Sequence, residues 1–186
     1  PSALPRLSLF ASTAPAVLAA IARHAPWADV VHGHGHLPAF YHGWRRFFGG
    51  RKPYVLHLHI TAAGRREQSE QPACSADRQG RGLDWWTDHF EWPLHQLSDR
   101  LGCLGADAIL CTSESVRQEA IRLCGADPGK IMVLPNGVNT ATFTPAGPNA
   151  RTRIGFVPSD KIVLFVGALT RRKRVDLLLE ALAHLP

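Results

Sequence analysis

Two rhythms of hydrophobic and polar positions alternate along this chain. Short aliphatic, β-branched runs recur at 28–32 (ADVVH), 53–60 (PYVLHLHI), 106–111 (ADAILC), 130–134 (KIMVL) and 161–166 (KIVLFV). Runs this short, with little polar alternation, predict strands of a buried parallel sheet. Between them, apolar positions return every three or four residues. An Ala-rich stretch at 12–24 opens with Ser12, Thr13 and Pro15 and reads as a capped helix. Residues 38–49 carry Phe40, Tyr41, Trp44, Phe47 and Phe48 at helical spacing, and Gly49-Gly50 stops them. A third helix is expected over 85–104. A fourth starts from the cap residue Ser113 and ends at Cys124, before Gly125. A fifth covers 173–185, with Val175, Leu178, Leu179, Leu182 and Leu185 on its buried side. Strand and helix alternate throughout, which implies βαβ units: an α/β fold with a parallel sheet and helices on both faces.

Two stretches break the pattern. Residues 61–82 are polar and nearly free of large apolar side chains, as in a long functional loop. Residues 138–152 hold two Pro, one Gly, two Asn and four Thr, a linker composition. A boundary there divides the chain into 1–137, a 138–152 hinge, and 153–186. The first residue is Pro and the only methionine is Met132, so both ends read as cuts in a longer chain.

Composition narrows the partners. Of 186 residues, 45% are hydrophobic and 19% charged, enough for a packed core and too little charge for a disordered chain. The formal charge of +6 favours an anionic partner: a nucleic acid, an acidic membrane surface or a phosphorylated small molecule. Nucleic acid is not expected, because basic and aromatic residues do not interleave on an exposed sheet face. The segment 40–53 (FYHGWRRFFGGRKP) could contact an anionic membrane peripherally. In the alternative, Tyr41, Trp44 and Phe48 pack on the sheet while Arg45 and Arg46 face water. No apolar run approaches 18 residues. The four cysteines form no C-x-x-C pair, which fits a reduced, cytoplasmic setting.

Ligands of open α/β sheets bind beyond the carboxyl ends of the strands. Three such ends carry unusual side chains: His32-Gly33-His34-Gly35-His36, His57-Leu58-His59-Ile60-Thr61, and the 167–173 segment GALTRRK. His32, His34 and His36 would share a face if their strand continued. Gly33 and Gly35 suggest that it breaks, and no carboxylate or Cys stands beside them, so no metal is expected. One buried, hydrogen-bonded His in each group is the ordinary expectation. An imidazole poised over a sugar or phosphate is the functional one. The third segment joins a strand, a Gly, a basic loop and a helix start, which suits an anion. Basic residues there oppose the helix dipole, so stability alone does not explain them. G-x-G-x-x-G, P-loop, G-x-S-x-G, H-E-x-x-H and Asp-x-Asp patterns are absent.

Taken in order, DVVHGHG (29–35), PYVLHLHIT (53–61), ADAILCTSESVRQEAIRLCG (106–125), KIMVLPNGVNTATFTP (130–145) and IVLFVGALTRRKRVDLLLEAL (162–182) resemble the family 4 glycosyltransferases. The resemblance implies a retaining enzyme of the GT-B fold, with two Rossmann-like domains facing each other across a cleft. Residues 1–137 would be part of the N-terminal, acceptor-binding domain. Residues 153–186 would begin the nucleotide-sugar-binding domain. It further implies that His59 and Lys173 are catalytic, with His59 near the transferring sugar and Lys173 neutralising the donor diphosphate. Gly167, Arg171, Arg172 and Lys173 would bind the donor; His34 and Thr61 would contact the acceptor. The family's usual Arg after the glycine is Ala168 here, so Arg171 or Arg172 would have to substitute, and the residue after the lysine, often Gly, is Arg174. No cofactor or metal is expected, since the Asp-x-Asp pair of a metal-bridged nucleotide-sugar site is absent. The resemblance also implies that a leaving-group phosphate oxygen takes the acceptor proton, which accounts for the lack of an obvious general base. The family's glycine-rich loop and Glu-x7-Glu segment are not in the sequence, so residues 1–186 alone are expected not to turn over. A sugar-nucleotide epimerase or phosphorylase relative is the competing expectation.

Overall fold

A computed structural model describes residues 9–35, 39–49, 52–65, 89–90, 92–145, 150–169 and 173–185. Two compact units divide the chain, Pro1–Pro135 and Asn136–Pro186.

In the first unit the elements run α1 (Leu9–His24), β1 (Val31–His34), α2 (Ala39–Phe48), β2 (Tyr54–Leu58), α3 (Trp92–Gly105), β3 (Ala108–Cys111), α4 (Glu114–Cys124) and β4 (Ile131–Val133). The four strands form one sheet in the order β1-β2-β3-β4, and every pairing is parallel. This is the expected Rossmann-like α/β arrangement.

The sheet's alternation sorts its residues. Tyr54, Leu56 and Leu58 of β2 and Ile109 and Cys111 of β3 are buried. They pack with Tyr41 of α2, Cys103 of α3, and Val116, Ala120 and Cys124 of α4 in one cluster. The alternating residues Val55, His57, Ala108 and Leu110 are only half-buried. Among the described residues the core therefore lies on one sheet face, and the other face is the more open. Burial pushes the Cys111 thiol up to about 11, and Cys103 is raised further by its hydrogen bond to Cys124 and by burial. These thiols are packing groups. Cys74 lies outside the described residues.

Several boundaries differ from the sequence expectation. Helix α1 starts at Leu9 and carries Pro15 inside it; the Ala-rich run sustains the helix across a residue that lacks an amide hydrogen. Strand β1 passes through Gly33 and ends at His34, because β2 offers a matching ladder from Tyr54 to His57. The break falls instead at Gly35, whose φ is 70°. Helix α4 follows its expected signals: Val116 N–H donates to the Ser113 hydroxyl at 3.2 Å, and Gly125 closes the helix with φ 70°. The 61–82 loop is described only to residue 65, where 62–65 make one helical turn.

Arg45 does not simply face water. Its guanidinium donates to Asp107 Oδ2 at 2.9 Å and to the Gly105 carbonyl at 3.2 Å. The same carboxylate oxygen accepts the Tyr54 N–H at 2.7 Å. Asp107 thus starts β2 and anchors α2 beside the end of α3. Nor does Phe48 pack on the sheet: it stacks on Trp44 with ring centroids 4.3 Å apart and stays 70% exposed. Phe47 is 82% exposed.

In the second unit, residues 161–166 form no strand ladder among the described residues. Helix α5 runs Val175–Leu182. Its Val175, Leu178 and Leu182 are half-buried, whereas Leu179 and Leu185 are exposed, contrary to the expected buried stripe. A strand exists only through its pairing, and the described unit supplies no neighbouring strand to pair with or to cover the helix.

Burial disfavours the Asp107 carboxylate, but the Tyr54 N–H and the Arg45 guanidinium outweigh it and hold the carboxyl below its usual range. Its stabilisation is therefore present above the unfolded pKa of about 4 and is lost as pH falls through the lower folded value. Asp107→Asn should cost about 1 kcal/mol at neutral pH in urea melts, since the carboxylate is half-exposed and screened. The gap between variant and parent should narrow below about pH 4.

Candidate functional site

The carboxyl ends of β1 and β2 bring four imidazoles together. Parallel register pairs His34 with His57, and the two-residue period puts His32 and His34 on the open face beside them. His59 follows on the same parity, just past the end of β2. His34 Nδ1 and His59 Nε2 lie 3.1 Å apart. The rings of His57 and His59 are stacked at 4.5 Å, and those of His32 and His57 at 5.6 Å. His32 and His34 are exposed and His57 is half-buried.

At two of these rings the surroundings favour the neutral form. Burial, then repulsion from His59, His34 and His32, lowers the His57 pKa. Burial, then His32 and His59, lowers that of His34. Both ring nitrogens of His57 are buried and have no hydrogen-bond partner. The expectation of one buried, hydrogen-bonded His per group fails here: the hydrogen-bonded pair is the exposed His34 with His59, and the more buried His57 has no such bond. His36 lies outside the described residues.

Thr61 is fully buried and already engaged. Its hydroxyl donates to Glu119 Oε2 at 2.9 Å and accepts the Gly64 N–H at 2.9 Å. The neighbouring Ala62 N–H donates to Asp99 Oδ2 at 2.6 Å. Thr61 therefore organises the turn after His59 and does not present its hydroxyl to a ligand. Asp99 and Glu119, missed in the sequence, hold this turn from α3 and α4. Their only sequence signal is a carboxylate within an otherwise amphipathic helix. A Cβ at Gly64 would collide with the Glu119 carboxylate, so the glycine keeps room for that contact.

The remaining expected residues belong to the second unit. Gly167 sits at a bend, where a Cβ would approach the Phe165 ring to 3.2 Å. Lys173 is exposed, just before α5. Arg174 takes the left-handed conformation, with φ 49°, and its guanidinium bonds Asp176 at 3.0 Å. That pairing ties the extra basic residue to its own helix start and satisfies the first-turn acid. Arg171 and Arg172 lie outside the described residues.

In parallel α/β sheets ligands generally bind beyond the carboxyl strand ends, where these imidazoles gather. The chain belongs to glycosyltransferase family 4: the family profile described as Glycosyltransferase Family 4 matches residues 1–142. Among similar proteins is the D-inositol 3-phosphate glycosyltransferase of Xylanimonas cellulosilytica, 31% identical over 96% of this chain and 40% of its own length. The protein of the same name from Mycolicibacterium gilvum is 33% identical over 91% of this chain and 35% of its own. That of Kineococcus radiotolerans reaches 46% over a shorter stretch, 43% of this chain and 19% of its own. The chain thus spans at most 40% of the length of these relatives.

Thr61→Val removes a buried hydroxyl and leaves the Glu119 carboxylate and the Gly64 N–H unpaired. The variant should lose about 1–3 kcal/mol in chemical denaturation. Thr61→Ser, which keeps the hydroxyl, should lose less.

Proposed function

We propose that this chain is part of a glycosyltransferase that moves a sugar from a nucleotide-sugar donor to an acceptor with retention of configuration. The observation that carries the reading is His59, held at the carboxyl end of β2 against His34 by the parallel register of a family 4 domain. In this reading 1–137 supplies the acceptor side, 138–152 the hinge and 153–186 the start of the donor side. His59 sits near the transferring sugar and His34 contacts the acceptor. Thr61 positions the turn that carries them, in place of direct contact. Gly167 and Lys173 serve the donor diphosphate, with Arg171 and Arg172 as its further cations. Charge stabilisation of the departing diphosphate is the main contribution asked of Lys173. The relatives' name makes a phosphorylated cyclitol the first acceptor to assay, and the net charge of +6 suits an anionic one.

The test is nucleotide release and sugar transfer by the longest open reading frame that carries this sequence. Lys173→Ala should lower kcat about 100-fold or more, the scale of losing one charge-stabilising donor. His59→Ala should also lower kcat, with Tm unchanged in both. Nucleotide release without sugar transfer to any acceptor would favour the epimerase-like alternative.

Peripheral contact with an anionic membrane is a second reading, motivated by the exposure of Phe47 and Phe48 beside the basic end of α2. No helix among the described residues is long and apolar enough to cross a membrane. The chain should float with vesicles containing phosphatidylglycerol and not with neutral ones. Phe47→Ser with Phe48→Ser should abolish flotation, and absence of salt-sensitive binding by the parent would remove this reading.

A further inference from the structure

We propose that His32, His34 and His57 form a binding site for a first-row transition-metal ion of the Zn2+ type, with an open coordination position beside His59. One ligand nitrogen from each of the three rings can be chosen so that all lie within 4.8 Å of one another. In a tetrahedral imidazole site, zinc–nitrogen bonds of about 2.0–2.1 Å set the nitrogens roughly 3.3 Å apart. The present spread must therefore close by about 1.5 Å at most. That is a rotamer-scale adjustment, and it falls mainly on the exposed His32, with His34 exchanging its contact to His59 for the ion. The backbone is already placed, because β1 and β2 are locked in a ladder that pairs His34 with His57.

A second observation points to the same centre. His57 keeps both ring nitrogens buried without a hydrogen-bond partner, an arrangement that is costly to leave unmade. A bound ion would take one of those nitrogens. The donor set decides the metal class. Neutral imidazoles suit Zn2+, Ni2+, Cu2+ or Co2+ and not the oxygen-seeking Mg2+ or Ca2+. His59, 3.1 Å from His34 Nδ1, stands where a fourth ligand or a metal-bound oxygen would meet it.

The proposal does not depend on the transfer reading, because metal uptake is measured without turnover. The 186-residue chain, stripped with chelator, is titrated with Zn2+ against a chromophoric competitor and with Co2+ for its visible ligand-field bands. One equivalent should bind, and Co2+ should give the intense absorption of a tetrahedral site. His57→Ala and His32→Gln should each weaken Zn2+ binding about tenfold or more, since losing a direct ligand costs at least as much as losing a hydrogen-bond partner of a ligand. His24→Ala and His184→Ala, at exposed positions elsewhere, should bind like the parent. His32 is exposed, so His32→Gln decides the matter even where His57→Ala fails to fold. Less than one equivalent bound, or parent-like affinity in His32→Gln, would mean adventitious surface binding only and would overturn the site.

Discussion

The parallel ladder between β1 and β2 is the constraint on which the candidate site depends. It pairs Val31 with Tyr54 on the core face and His34 with His57 on the open face. A slip of one residue would reverse that assignment, sending imidazoles into the core and Leu56 to the open face. Such a register is held firmly because Tyr54, Leu56 and Leu58 are all but inaccessible in the core. Burial of one face thereby fixes the chemistry of the other. The Val31 N–H bond to the Pro53 carbonyl at 2.8 Å and the Gly35 N–H bond to the His57 carbonyl at 3.3 Å close the two ends of that ladder.

Two polar networks extend this constraint to the loops. At the amino end of the sheet, Asp107 accepts from Tyr54 and Arg45 and so joins β2 to α2 across a long sequence separation. At the carboxyl end, Glu119 and Asp99 hold Thr61 and Ala62 from two different helices. The turn after His59 is thus set by buried hydrogen bonds, where the geometry of a site is better preserved than on a free loop. Thr61 illustrates the consequence: its hydroxyl shapes the backbone just after His59 through its bonds to Glu119 and Gly64.

Local pattern made the order of elements in the first unit legible, because its four aliphatic runs and their intervening amphipathic stretches each carry their own period. The cap at Ser113 and the stop at Gly125 were readable for the same reason: both are written in contiguous residues. Long-range pairings were not. Nothing near Arg45 in sequence announces Asp107, and nothing near Thr61 announces Glu119. β1 runs past its sequence-expected end: glycine is a local breaker, but the paired strand β2 carries the chain through Gly33. The two histidine groups were visible one by one. Their convergence needed the register, which no single segment contains. Family membership came from motif order spread over much of the chain, and so survived these local errors.

The second unit shows the same principle from the opposite side. Residues 161–166 have the most strand-like composition in the chain, yet Val163, Leu164 and Val166 are exposed by 54%, 79% and 83% and no ladder forms. Apolar sequence therefore states a demand for burial, and the strand appears only where a neighbour meets it. Helix α5 carries the same demand through Leu179, 62% exposed. Gly167 directly follows this unpaired run, and Lys173 stands just before α5. The two histidine-bearing strands are thus fixed by their own ladder, whereas residues 161–166, ahead of Gly167, form none among the described residues.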